Sequence, residues 1–305
     1  PMKGEKPRPW EIDWDAAIHA IASAQKAQQV IGKPRVRFVI IDEGQDMPPQ
    51  FYEAVVSLGF ENIFVVADQN QKITDLHSSR REIEDRLGLR SSDVVELTQN
   101  YRNSLPVARL AQAFYPDDPA SPRVVLPPAR AGSVETPLLI EYGRTRETAL
   151  PWVADRIVKR VARTPSLLIG VLTPDNATRD CYFEALRATA AATTALAEPI
   201  RVEAYAPDEA AEATDGLRFD QGGVLVINVQ ACKGLEFDEV FIADIDSLLF
   251  RPAEWNRDLV MRRLYVMIAR ARERVFLLRS STGGPYPIDE IMPNSPEVLT
   301  RWSHP

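Results

Sequence analysis

The chain has 305 residues, of which 45% are hydrophobic and 26% are charged, and its formal net charge is −7 at pH 7. This length allows two domains with cores of their own, and the composition is that of a globular protein. The negative charge argues against a protein that wraps duplex DNA non-specifically over a basic surface, so any nucleic acid is expected to contact a local groove.

Neither a membrane span nor a signal peptide is expected. No run of apolar residues is long enough to cross a bilayer, and the first ten residues, PMKGEKPRPW, are polar and proline-rich. The only cysteines are Cys181 and Cys232, which argues against a disulfide framework and fits a reducing compartment. We therefore expect a cytoplasmic protein with no membrane partner.

Strands and helices are predicted to alternate along the chain. Helices are predicted, in order, after Asp13 and over residues 51–58, 80–87, 105–114, 150–163, 178–192 and 259–271. Strands are predicted over residues 38–41, 62–67, 138–142, 167–172, 224–229, 240–244 and 274–278. This alternation indicates an α/β protein with parallel sheets in two units. The first two strands are nearly continuous apolar runs, so we expect both to be buried on both faces.

A proline-rich stretch separates the two predicted units. Prolines occur at positions 116, 119, 122, 127, 128 and 137. We therefore predict a first domain over residues 1–104, a connection over residues 105–137 and a second domain over residues 138–305. Residues 198–220 are acidic and rich in turn formers, and they are predicted to be a solvated connection.

Polar side chains follow two of the predicted strands. Asp42 and Glu43 end the first strand, and the amide-rich segment 68–71 ends the second. Open α/β sheets bind ligands at the carboxyl ends of their strands. Two adjacent acids there can divide the work, one holding Mg²⁺ and the other orienting or deprotonating an attacking water. The plain alternative is that two acids end a strand and enter a loop.

Five segments in a fixed order resemble the motifs of UvrD/Rep-type superfamily 1 DNA helicases, and the resemblance covers nearly the whole chain from about Asp13. VIIDEGQD resembles the Walker B motif, VVADQNQ the GDxxQ motif and LTQNYRN the NYR motif. INVQACKGLEF resembles the motif ending in KGLEF, and LYVMIARAR resembles YVALTRA. The resemblance implies two RecA-like domains of the P-loop NTPase type, the first one incomplete, with ATP in the cleft between them.

The resemblance also implies a role for each matching residue. Asp42 would ligate Mg²⁺, Glu43 would be the catalytic base and Gln71 would sense the γ-phosphate. Arg102 and Arg270 would be arginine fingers, whose planar guanidinium holds two phosphate oxygens at once. The remaining matches would contact the nucleotide. Tyr101 would lie near the adenine, and Lys233, Gly234 and Glu236 would lie near the sugar and phosphates.

Other interpretations of three of these residues stay open at this stage. Arg270 could be one of several solvated charges on an arginine-rich helix. Gln71 could be a plain turn residue, and Tyr101 a core aromatic.

The sequence departs from the family pattern in two ways. It contains no GxxxxGK[ST] phosphate loop, since the only Gly-Lys pair, Gly32-Lys33, is followed by proline. Thr74 and Leu76 stand where the family commonly has aromatic residues that stack on single-stranded bases. Smaller departures occur within the motifs, namely Ala67, Asn228, Gln230 and Ala269. Alone, the chain is expected to bind ATP weakly and to hydrolyse it negligibly.

Two hypotheses follow, from different functional classes. In the first, the chain is part of an ATP-driven helicase that moves 3′ to 5′ along single-stranded DNA. Its phosphate loop then comes from an upstream segment or from a partner chain. In the second, the chain is a helicase remnant that has lost catalysis and binds or regulates another protein. The compact interval between residues 102 and 224 indicates a small member of the group in either case.

Overall fold

The computed structural model describes most of the chain, in two units. The described residues are 12–26, 38–60, 62–71, 77–115, 124–129, 135–143, 145–193, 199–205, 221–248, 256–280 and 286–304. Those up to Leu97 form the first unit, and those from Thr98 onward form the second. Several positions discussed above lie outside the described residues, namely Gly32, Lys33, Thr74, Leu76 and the prolines at 116, 119 and 122.

A small parallel sheet lies at the centre of the first unit. Strand β1 (Phe38–Ile41) pairs in parallel with strand β2 (Asn62–Val65), as the sequence predicts. The described helices of this unit are α1 (Trp14–Lys26), α2 (Pro49–Ser57) and α3 (Arg80–Leu87). Since the two strands run in the same direction, their carboxyl ends lie at the same edge of the sheet.

One face of this sheet is covered and the other is open. Ile41 packs with residues of α2 and α3 in a buried cluster. On the other face, Phe38, Ile40 and Phe64 are 67%, 75% and 63% exposed, and Ile40 lies directly beside Phe64 in the register of the strands. The prediction that both strands are buried on both faces is therefore wrong for the described part of the chain. The physical reason is that helices α2 and α3 pack on the side of the sheet that carries Ile41, which leaves the side chains of the other face uncovered.

A larger parallel sheet forms the centre of the second unit. Its strands are β3 (Leu138–Tyr142), β4 (Leu168–Thr173), β5 (Val202–Tyr205), β6 (Gly223–Asn228), β7 (Phe237–Ile242), β8 (Ala271–Ser280) and β9 (Thr300–His304). Their spatial order is β5-β6-β4-β7-β8-β3-β9, and every neighbouring pair is parallel. The predicted α/β class with two parallel sheets is confirmed.

Helices cover the central strands of this sheet. The described helices of the unit are α4 (Leu105–Ala113), α5 (Arg146–Arg163), α6 (Asn176–Ala192) and α7 (Arg257–Ile268). Strands β4 and β6 are buried along their whole length, because apolar residues of α5 and α6 pack onto them. Among the described residues, no helix is long and apolar enough to cross a membrane.

Three local features of the second unit differ from the prediction. Strand β5 lies in the segment predicted to be a solvated connection, and β9 is not predicted at all. Both are short strands at the edges of the sheet, where solvent contact permits polar residues and weakens the apolar pattern. Helix α7 ends at Ile268 rather than at Ala271, so Arg270 lies in the turn before β8.

The division of the chain into domains stays a prediction. The boundaries expected from the sequence are residues 1–104, 105–137 and 138–305. The contacts of the structure place the described residues from Thr98 to Tyr115 with the second unit. The TQNYRN segment is therefore described together with the large sheet.

The close approach of β4 and β7 yields a test of the packing. A Cβ atom added to Gly170 in β4 would lie 2.7 Å from the ring of Phe237, which is fully buried. We expect Gly170→Ala to lower the free energy of unfolding by about 1–3 kcal/mol, because the ring or the strand must move. Urea unfolding followed by circular dichroism measures this loss.

The control for this test is the pair Gly170→Ala and Phe237→Leu in one chain. If the clash with the ring is the cause, the two losses are less than additive, because leucine leaves room for the new methyl group. Additive losses would contradict the packing described here.

Candidate functional site

The acidic pair lies directly after β1, where the chain turns sharply. Asp42 is exposed, and its Oδ1 accepts a hydrogen bond of 2.9 Å from the backbone N–H of Glu43. Glu43 has φ 51° and ψ 40°, in the left-handed region that residues other than glycine rarely adopt. Such strain costs of the order of 1–3 kcal/mol and is common at functional sites. The surrounding structure must therefore hold this turn in place.

The residue after the acids allows a very close approach of the backbone to its neighbours. A Cβ atom on Gly44 would lie 2.4 Å from Cγ1 of Val65 and 2.6 Å from the hydroxyl oxygen of Tyr52. That hydroxyl donates to the carbonyl of Gly44, and the N–H of Gly44 donates to the carbonyl of Val66 at 2.8 Å. Burial, with a smaller contribution from the Asp46 carboxylate, raises the pKa of Tyr52 to about 12. Tyr52 therefore stays a protonated donor at neutral pH.

The segment after β2 lies beside this turn. Asp68 receives two hydrogen bonds on its carboxylate, from the N–H of Asn70 and from Nε2 of Gln71, both at 2.9 Å. Its own N–H donates to Oε1 of Gln45 at 2.9 Å, and Nε2 of Gln45 donates to Oε2 of Glu43 at 2.6 Å. Glu43 and Gln71 are thus connected through Gln45 and Asp68, which the sequence analysis did not single out. Gln45 and Asp68 lie within the motifs quoted above, so their place in these motifs was the signal that could have identified them.

In the second unit, the TQNYRN segment docks onto the turn between α7 and β8. Nδ2 of Asn103 donates to the carbonyls of Ala269 and Ala271, which are more than 160 positions away in the sequence. The backbone N–H of Ser104 donates to the carbonyl of Arg272, and its hydroxyl donates to that of Glu273. Asn103 and Ser104 are 4% and 1% exposed, so these bonds are shielded from water. They fix the position of the preceding Arg102.

Arg102 meets the KGLEF motif. Its Nε lies 2.6 Å from Oε1 of Glu236, while the other oxygen of this carboxylate is 3.1 Å from Nη2 of Arg272. Glu236 is therefore shared by two arginines. Because the side chains of Arg102 and Arg272 are 41% and 51% exposed, each pair is worth little stability. An exposed pair of this kind can exchange one partner for a phosphate at small cost.

Arg270 has a different environment. It is only 2% exposed, and its Nε donates to the carbonyl of Val266 at 3.1 Å. The interpretation as a solvated surface charge is therefore wrong. Burial raises the pKa of the Cys232 thiol in the KGLEF loop, and the positive charge of Arg270 acts against this rise. The loop and the turn after α7 therefore lie next to each other.

The other predicted nucleotide contacts are positioned as follows. Tyr101 is 76% exposed, with its hydroxyl donating to Oε1 of Gln99 at 2.7 Å, so it is not a core aromatic. Gly234 has φ 76°, which makes glycine the favoured residue there, and it is exposed. Lys233 lies in the same loop and is half-buried. Their roles toward a nucleotide stay predictions.

The expected Mg²⁺ has one ligand in the predicted set, Asp42. The described residues contain no group of three or more His, Cys, Asp or Glu side chains that could hold a metal ion by themselves. Mg²⁺ keeps several waters and is usually bound through one or two carboxylates together with substrate phosphates. The exposed carboxylate of Asp42 is suited to that kind of shared coordination.

A further polar cluster lies beyond β7 and was not predicted. Asp244, at φ 46°, accepts hydrogen bonds from the hydroxyls of Tyr142 at 2.7 Å and Tyr182 at 3.0 Å. Arg146 lies 3.3 Å from its other oxygen. Burial and the neighbouring Asp244 raise the pKa of both tyrosines. The cluster ties α5 and α6 to the carboxyl edge of the sheet, and we assign it a structural role.

Comparison with known proteins bears on the second unit. Residues 223–278 match the UvrD-like helicase C-terminal domain family. This stretch contains both the KGLEF and the LYVMIARAR segments, so the resemblance to UvrD-type helicases that the motifs predict is confirmed there. No curated protein matches the chain.

Solved structures are also similar. One of them is described as the C-terminal domain of a possible DNA helicase from Lactobacillus plantarum WCFS1. The identity is 15% and the TM-score 0.42, and the match covers 66% of this chain and 98% of that one.

The two cysteines are expected to differ in reactivity. Burial raises the pKa of the Cys232 thiol to about 11, although the charges of Arg270 and Lys233 act in the opposite direction. Burial therefore outweighs the neighbouring positive charges. Because the thiolate is the reactive form, iodoacetamide at pH 8 should modify the exposed Cys181 and leave Cys232 unmodified in the folded chain. Mass spectrometry of the alkylated peptides measures both.

The matching control is Cys181→Ser, which should take up no label when folded and one label in urea. Raising the pH from 8 toward 11 should increase the thiolate fraction of Cys232 and, with it, the rate at which it is modified. Rapid modification of Cys232 in the folded chain at pH 8 would contradict the burial described here.

Proposed function

We propose that this chain is part of an ATP-dependent DNA helicase or translocase. Asp42 holds Mg²⁺, and Glu43 orients and deprotonates the attacking water. Arg102 and Arg270 neutralise the charge that develops on the transferred phosphoryl group, a contribution that can reach several orders of magnitude in rate. Hydrolysis drives movement along single-stranded DNA, with 3′-to-5′ polarity proposed from the family alone.

The observation that carries this proposal is the convergence of three motif segments in the second unit. Asn103 binds the carbonyls on either side of Arg270, and Arg102 binds Glu236 of the KGLEF motif. These contacts place Arg102 and Arg270, the two guanidinium groups that the proposal assigns to the phosphate, beside the same KGLEF loop. The match of residues 223–278 to the UvrD-like helicase C-terminal domain supports the same conclusion.

The phosphate loop of this motor is supplied by another segment, upstream in the same protein or in a partner chain. The sequence of 305 residues contains no GxxxxGK[ST] run. Without backbone N–H groups that cradle the phosphates and a lysine that reaches them, affinity for ATP is low. Binding to single-stranded DNA is likewise weak when the chain is alone.

A second candidate function is that of a protein-interaction or regulatory module without catalysis. The open face of the small sheet favours it, since Phe38, Ile40 and Phe64 form an exposed apolar patch. Patches of this kind mark contact surfaces in many soluble proteins. The patch is also compatible with the motor, because a segment that carries the phosphate loop could cover it.

The base role of Glu43 is tested in the assembly that hydrolyses ATP, formed by this chain and the segment with the phosphate loop. Glu43→Gln should lower kcat by about 10²-fold or more, because the amide cannot accept the proton of the attacking water. The KM for ATP should change little, because the substitution leaves Asp42 and the arginines in place. Steady-state phosphate release measures both constants.

The control is Glu53→Gln, which neutralises a carboxylate of α2 that is 43% exposed and pairs with Arg86. It should leave turnover unchanged. Equal turnover of the Glu43→Gln and parent assemblies would remove Glu43 from the role of base.

A further inference from the structure

The loop after β1 contains a fully buried glutamine that faces both halves of the candidate site in the first unit. Gln45 is 0% exposed. Its Nε2 donates to Oε2 of Glu43 at 2.6 Å, and its Oε1 accepts from the N–H of Asp68 at 2.9 Å. The orientation of the amide follows from these partners, since the flipped form would set oxygen against carboxylate and NH₂ against N–H.

The contacts of Asp68 extend this arrangement to the second motif. Its carboxylate accepts from Nε2 of Gln71 at 2.9 Å. Hydrogen bonds thus link Glu43 to Gln45, Gln45 to the backbone of Asp68, and the carboxylate of Asp68 to Gln71, between two loops that end neighbouring strands. Each of these bonds restricts the rotamers of the side chains that make it, and the two bonds of the Gln45 amide polarise each other.

The loop is also held by contacts that do not involve the side chain of Gln45. The N–H of Gly44 already donates to the carbonyl of Val66, and the N–H of Ser78 donates to the carbonyl of Gln45. Tyr52 binds the carbonyl of Gly44 from a third direction. The amide of Gln45 adds a connection between Glu43, the proposed catalytic base, and Asp68, which binds Gln71, the proposed phosphate sensor.

We propose that Gln45 is a positioning residue that couples the carboxylate of Glu43 to Gln71 through Asp68. This proposal rests on the proposed function for its catalytic meaning. Gln45 fixes the rotamer of Glu43 by binding one of its oxygens. It also transmits to Glu43 a change at Gln71, so that the base is correctly oriented only when Gln71 is engaged.

The coupling can be measured in this chain without ATP. In ¹⁵N-glutamine-labelled protein, the side-chain NH₂ resonance of Gln71 is identified by its loss in Gln71→Asn. Glu43→Gln should shift this resonance in the parent chain. In the Gln45→Leu background, the same substitution should cause a shift at least about twofold smaller, because the connecting amide is absent. Glu53→Gln, on the surface of α2, is the control and should cause no shift in either background.

An equal shift in both backgrounds, or none in the parent, would overturn the proposal. If Gln45→Leu does not fold, Gln45→Met replaces it. Methionine has a similar length and volume but carries no amide, so the same loss of coupling is expected.

A kinetic measurement separates this proposal from the proposed function. In the complete assembly, Gln45→Leu should lower kcat by about 10- to 100-fold with an unchanged KM for ATP, as expected for a misplaced base. ATP hydrolysis with an unaffected kcat would overturn the role of Gln45 and leave the motor intact. No hydrolysis by any assembly, with the resonance coupling present, would overturn the proposed function alone.

Discussion

The hydrogen bonds of Asn103 to the carbonyls of Ala269 and Ala271 determine how the second unit presents its arginines. They join a segment near the middle of the chain to a turn near its end, and they do so in a buried environment where an unpaired amide would be costly. Arg102 comes to Glu236 because its neighbour is held in this way. The site therefore depends on a polar contact between motifs rather than on the apolar core beneath it.

The first unit is organised by a comparable polar connection, from Glu43 through Gln45 and Asp68 to Gln71. Each unit thus contains one set of candidate groups, held by hydrogen bonds between loops at the ends of parallel strands. The first set offers carboxylates, which suit a metal ion and a water. The second offers guanidinium groups, which suit phosphate oxygens. The proposed hydrolysis of ATP uses both kinds of group.

The sequence predicts the strands and helices well wherever an apolar run is long and buried, as in β4 and β6. It misses β5 and β9, because short edge strands need no apolar alternation. From the sequence, Phe38 and Ile40 are predicted to be buried, and this is wrong. An apolar run does not reveal which face of the strand will be covered by helices. The motifs single out Asp42 and Arg270 as candidates, and the roles of these two residues stay predictions. The motifs do not single out Gln45, because its proposed role comes from contacts made only after folding.

The central claim is that the acids and arginines of this chain hydrolyse ATP once a phosphate loop is supplied from elsewhere. The most direct measurement is the rate of ATP hydrolysis with Mg²⁺, with and without single-stranded DNA. Three samples are compared, namely this chain alone, this chain extended upstream, and this chain mixed with a neighbouring gene product. The account predicts negligible hydrolysis by the chain alone and DNA-stimulated hydrolysis in a sample that supplies GxxxxGK[ST]. A folded sample that supplies this loop and still hydrolyses no ATP would contradict it.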